Sequence, residues 1–205
     1  SHRLLALLVV VLTSWLAWRV RKDGAARRVR VMTLALLAMV GLQAGLGALT
    51  VVLKLPAPVS TAHLALSLVF FMSLMTCAHW LAQDEAPRRV ELGPRRDMAL
   101  FTLGAVYGQI LLGGFIRHTG AGRACGMEFP LCGGEWWPEL WAARAHQLHR
   151  FAGFVVTLVV LAAAIPTARA AHRSGRRLAR AAALAAPFLA ALQILLGIVT
   201  VTSGI

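Results

Sequence analysis

Charge is scarce in this sequence. Only 14% of its 205 residues are charged against 59% hydrophobic, and the mean hydropathy is +0.71. That is too apolar for a soluble domain, whose surface must be solvated. The balance excludes a disordered chain, a collagen-like repeat and a large soluble domain. Acidic residues are scarcer still: eight Asp and Glu face 21 Lys and Arg, for a formal net charge of +13. Such an excess suggests nucleic acid, but that partner needs a basic face with groove-reading or stacking elements. Here the basic residues stand between hydrophobic runs, so no nucleic-acid partner is needed. Cysteine is down to three residues, Cys77, Cys125 and Cys132. No second Cys/His pair has ligand spacing, which argues against zinc. The chain opens at Ser1 with neither a methionine nor a signal-peptide n-region ahead of its first apolar run, and a fragment of a longer protein is expected.

What the sequence does have is length of apolar run. A spanning helix needs ~20 apolar residues, and six runs qualify, over 3–18, 31–53, 61–81, 98–116, 148–165 and 178–201. The chain therefore reads as an all-α integral membrane protein. Fifteen of the 21 Lys and Arg fall in the loops after the first, third and fifth runs or, for Arg180, at the very start of the run that follows. By the positive-inside rule those loops are cytoplasmic. Both visible chain ends then lie outside, as in a multi-pass protein of the plasma membrane. Glycines including Gly41, Gly45, Gly47, Gly104, Gly108, Gly113 and Gly114 offer small faces for close helix packing.

An internal repeat organises these runs. Leu42-Gln43-Ala44-Gly45-Leu46-Gly47 returns 150 residues later as Leu192-Gln193-Ile194-Leu195-Leu196-Gly197, and His2-Arg3 returns as His149-Arg150 at an offset of 147. Internal symmetry of this kind points to two packed bundles. The repeat predicts a parent of eight spans in two pseudo-symmetric four-helix bundles, six of them visible here. Residues 1–81 would be the first half, 82–97 a cytoplasmic linker and 98–205 the second half. His63 lies 20 residues beyond Gln43, so a counterpart histidine is expected about eight residues past Ile205.

His2, His63 and His149 each fall near the start of an outside-to-inside run, within about the first two turns. Matched depth on alternate helices suits a bis-histidine heme, whose axial ligands approach one iron from opposite faces inside a bundle. The alternative is three histidines wetted at the lipid interface, and the repeat favours liganding. Arg3 and Arg150, one residue on, could pair with heme propionates or snorkel to the interface. His146 reads most simply as a polar loop residue. His79, His118 and His172 are given no role. Cys125 and Cys132 share a loop on the oxidising side, where a disulfide persists; an exchange-active pair is the alternative. Cys77 reads as a small buried apolar residue.

The run from Gln109 through Gly113, Gly114, Arg117, His118, Thr119 and Gly120 to Gly122, followed by the two-cysteine loop, resembles heme A synthase. So do His2-Arg3, Ser60-Thr61-Ala62-His63 and Leu148-His149-Arg150. The resemblance covers essentially the whole chain. It implies oxidation of the C8 methyl of heme O, through hydroxylated intermediates, to the formyl group of heme A for terminal cytochrome oxidase. It further implies a heme b cofactor in the second half, with His149 as one axial ligand, and heme O in the first half, with His2 and His63 at its iron. Lipid, an electron acceptor and heme O synthase would be its partners. The family's glutamate would stand before Ser1, and His146 takes its place in the second half. A membrane cytochrome b that only relays electrons is the competing expectation, and a duplicated transporter a third, disfavoured because the spans look continuous.

Overall fold

The computed structural model describes residues 2–82 and 94–203, with side chains from 96 in the second stretch. Six long helices account for most of it: α1 (His2–Lys22), α2 (Arg27–Val52), α3 (Ala57–Leu81), α4 (Pro94–His118), α5 (Trp141–Arg173) and α6 (Arg177–Thr202), with one 3-10 turn at Ala121–Arg123. All six are long and apolar enough to cross a membrane. Among the described residues there is no strand, only an isolated bridge between Cys132 and Glu135. The fold is thus all-α, as the composition predicts.

The breaks between helices follow local chemistry. Gly24 (φ +66°) and Gly175 (φ +68°) turn the chain after α1 and α5, a conformation that costs glycine no Cβ clash. Pro56 precedes α3 and a second proline, Pro58, sits in its first turn, where the missing N–H would have had no helical partner.

The chain divides into two compact units, Ser1–Val90 and Glu91–Ile205. In the first, α2 packs on α1 and α3 around Val20, Val29, Leu36 and Cys77, with Leu16, Met32, Phe70, Leu74 and Trp80 closing over them. The Arg28 guanidinium lies 5.6 Å from the Trp80 ring centroid, so a cation covers the edge of this core. In the second unit α5 packs on α4 and α6. Its buried small residues Ala163, Ala164, Ala168 and Ala171 allow close approach between helices. No residue of α6 is buried, and Leu178 and Phe188 are 85% and 77% exposed. Such faces are costly in water but match hydrocarbon.

Five helices begin and end within a few residues of the apolar runs. The fifth differs: α5 starts at Trp141, seven residues before the run that begins at 148. Arg144, His146 and Gln147 interrupt the apolar pattern there, yet the helix continues, with the preceding loop supplying partners for Arg144 and Gln147. Arg144 Nε donates to the Pro138 carbonyl (2.7 Å), and Gln147 Nε2 donates to the Pro130 carbonyl (2.9 Å). His146 is accordingly a buried helix residue, 5% exposed, and not a loop residue. His149 stands in the third turn of α5, deeper than expected, while His63 is in the second turn of α3 and His2 opens α1. The linker expected at 82–97, with Arg88 and Arg89, lies mostly outside the described residues.

Candidate functional site

Each unit contains one helix pair that holds a histidine in the same way. In the first, Gln43 near the end of α2 points its amide at the start of α3. Its Nε2 donates to the His63 carbonyl (2.9 Å) and also meets Ser67 Oγ, one turn beyond the histidine. Ser67 Oγ itself donates to the His63 carbonyl (2.9 Å). One turn beyond Gln43 stands Gly47, where an added Cβ would lie 3.3 Å from His63 Cε1. The imidazole rests over that glycine, half-buried, with Nδ1 enclosed and without a hydrogen-bond partner.

In the second unit the same parts recur on α4 and α5. Gln109 Nε2 donates to the His149 carbonyl (2.9 Å) and lies 3.1 Å from His149 Nδ1. Gly113, one turn beyond Gln109, faces the other edge of the ring: a Cβ there would stand 2.9 Å from Cε1 and 3.3 Å from Nε2. Gly153, one turn beyond His149, leaves room for the amide, since a Cβ there would come within 3.1 Å of Gln109 Nε2. Both hairpins therefore read Gln, then Gly four residues later, then a histidine followed at four residues by Ser or Gly. The spacing appears a third time as Gln193 and Gly197 on α6.

Arg150 follows His149 and faces the loop between α4 and α5. Its Nη1 donates to the Leu131 carbonyl and to Gln147 Oε1, both at 3.2 Å, and its guanidinium lies 5.9 Å from the Phe129 ring centroid. Nε and Nη2 are buried with no partner. A buried guanidinium with two idle donors is costly unless an anion completes it. The loop beneath is anchored by Gln147, fully buried, and by Cys125 and Cys132, whose Cα atoms are 4.6 Å apart with their sulfurs at 2.09 Å. Cys125, Cys132 and Ala143 make a small core under this loop, and Trp136 stacks on Phe151 with centroids 6.4 Å apart.

Among the residues singled out by sequence, the structure sets His2 at the start of α1 and His63 in the second turn of α3, within one compact unit, and His149 beside Arg150 on one helix. Arg3 is exposed on the first turn of α1. Among the described residues no three His, Cys, Asp or Glu gather to hold a bare metal ion. A cleft lined by Ile165, Ala168, Arg169, His172, Arg180 and Leu184 lies toward the far end of α5 from His149 and belongs to the basic turn into α6. Sequence reasoning missed Gln43 and Gln109 as partners of the histidines. The signal was present in the threefold Gln-x-x-x-Gly, of which only two copies are aligned by the 150-residue repeat.

An all-helical, multi-pass membrane protein that seats histidines between paired helices is the class these observations define. The chain belongs to the cytochrome oxidase assembly protein family (COX15-CtaA), whose profile matches residues 1–205. It is similar to curated proteins named heme A synthase: 32% identical to that of Halalkalibacterium halodurans over 82% of this chain and 58% of the relative. To the one from Shouchella clausii it is 28% identical, covering 90% and 63%, and to that of Caulobacter vibrioides 30%, covering 100% and 64%. The chain thus spans about 60% of the length of these relatives.

Proposed function

We propose that this chain carries the heme-binding helices of a heme A synthase, which converts the C8 methyl of heme O to the formyl group of heme A for cytochrome oxidase assembly. The observation that carries the reading is the pair of histidines held by identical helix contacts, one of them followed by an arginine with two idle buried donors. Both features suit an iron-porphyrin. Imidazole nitrogens ligate the metal, and a guanidinium fork matches a propionate carboxylate.

In this reading His2 and His63 would hold the iron of the substrate heme in the first unit, and His149 would hold that of heme b in the second. Heme b, when bound, would supply one-electron redox chemistry to that unit. The protein's share is placement. Gly113 adds no side chain at the Cε1–Nε2 edge of His149, where a Cβ would press the ring at 2.9 and 3.3 Å. Arg150 is poised to bind one propionate while its Nη1 stays on the outer loop; Arg3, exposed on the first turn of α1, would take a propionate in the first unit. Heme O enters laterally, because its apolar tail is favoured in lipid and not in water.

By the positive-inside rule we read the segments after α1, α3 and α5 as cytoplasmic, with the cysteine loop and both visible ends outside the plasma membrane. On that oxidising side Cys125 and Cys132 form a structural disulfide. Reducing it is expected to destabilise the outer loop by about 2 kcal/mol, the closure entropy for a ring of this size. Thermal unfolding with and without a membrane-permeant reductant measures it; identical midpoints would contradict a closed bond.

The heme reading is tested by titrating the full-length protein, with the histidine expected past Ile205, in nanodiscs with hemin. A low-spin ferric spectrum, lost from the first unit in His63→Ala and from the second in His149→Ala, is expected. A spectrum that neither variant alters would sink it.

A further inference from the structure

Gln43 and Gln109 make one contact on two hairpins that share no residue. We infer that they are positioning residues, fixing where His63 and His149 present their imidazoles to an iron-porphyrin. The inference rests on the heme reading above.

The contact is made to the histidine's own carbonyl, 2.9 Å from the glutamine Nε2 in each case. In a helix that carbonyl already takes one bond from the N–H four residues on. A second donor from the neighbouring helix therefore pins the histidine's peptide, and with it the depth and rotation of the Cα–Cβ bond that carries the ring. Two further positions are shaped around this bond. Four residues after the histidine the side chain is small: Ser67 meets the Gln43 amide, and Gly153 leaves it space that a Cβ would close to 3.1 Å. Four residues after the glutamine stands a glycine, where a Cβ would press the ring at 3.3 Å in one hairpin and 2.9 Å in the other.

Packing alone explains the small residues but not the amides. Gln43 Oε1 is buried with no partner, a cost that an apolar side chain of the same size would avoid. What the amide supplies is a fixed address for the histidine beside it. Partners that orient a metal ligand without touching the metal typically matter by 10–100-fold in affinity.

The test has two arms. The protein is labelled with histidine carrying carbonyl carbon-13 and placed in nanodiscs. Gln43→Leu is expected to shift the His63 carbonyl resonance and leave that of His149, and Gln109→Leu the reverse. Both resonances moving together in either variant would show general disruption and overturn the assignment.

In the second arm hemin is the probe, on the full-length protein. Gln109→Leu is expected to weaken His149-dependent binding roughly 10-fold and to move the largest g-value of its low-spin signal, which reports imidazole orientation. Gly113→Ala, which keeps the hydrogen bond but crowds the ring, is expected to move the g-value without moving the carbonyl resonance. Wild-type g-values and affinity in Gln109→Leu and Gly113→Ala would overturn the inference while leaving heme binding itself intact. A wild-type protein with no histidine-dependent signal would overturn the heme reading, whatever the carbonyl resonances did.

Discussion

Replacing Arg150 by leucine is expected to weaken hemin binding at the His149 site by roughly 10- to 100-fold. The expectation follows from the two guanidinium nitrogens, Nε and Nη2, that are buried without partners. Charge-assisted bonds to a carboxylate contribute about 1.5–3 kcal/mol in such surroundings. Because Nη1 also holds the Leu131 carbonyl and Gln147 Oε1, the substitution loosens the loop as well, and affinity alone would confuse the two effects. Hemin dimethyl ester separates them, since it has the same ring and iron but no propionate charge. The wild type should prefer hemin over the ester, and Arg150→Leu should bind both alike. A preference that survives the substitution would place the propionates elsewhere.

Gln147→Leu is expected to cost about 3 kcal/mol and to expose the loop between α4 and α5. The side chain is fully buried, bridging the Pro130 carbonyl and the Arg150 guanidinium at 2.9 and 3.2 Å. Leucine fills the same space but leaves an acceptor and a charged donor unmatched, at about 1–3 kcal/mol for each group. Thermal unfolding in detergent and limited proteolysis between residues 119 and 140 measure the loss. Unchanged midpoints and an intact loop would mean that water or lipid headgroups already satisfy these groups.

The membrane character, the six helices and the histidines were all legible in the sequence, because apolar length and repeat spacing survive without three-dimensional context. The first two turns of α5 were not. Arg144, His146 and Gln147 look like loop to any measure of apolar length, and the loop carbonyls that bind Arg144 and Gln147 are a matter of tertiary geometry. Arg150 drew attention for its charge, yet what distinguishes it is which nitrogens are spoken for and which are idle, a matter of geometry. Gln43 and Gln109 sit in apolar runs where a single amide carries little weight. Their meaning depends on a carbonyl across the helix pair, whose partner lies 20 residues on in one case and 40 in the other. No single repeat offset aligns them.

The central claim is that this chain's histidines serve the oxidation of heme O. The most direct measurement expresses the complete gene in cells that make heme O, extracts the hemes and separates them by chromatography with mass detection. Heme A or its hydroxylated precursor is predicted, and both should vanish when His63 is replaced by alanine. Heme O left untouched, with only heme b bound to the protein, would contradict the account and make the chain part of an electron-relaying cytochrome.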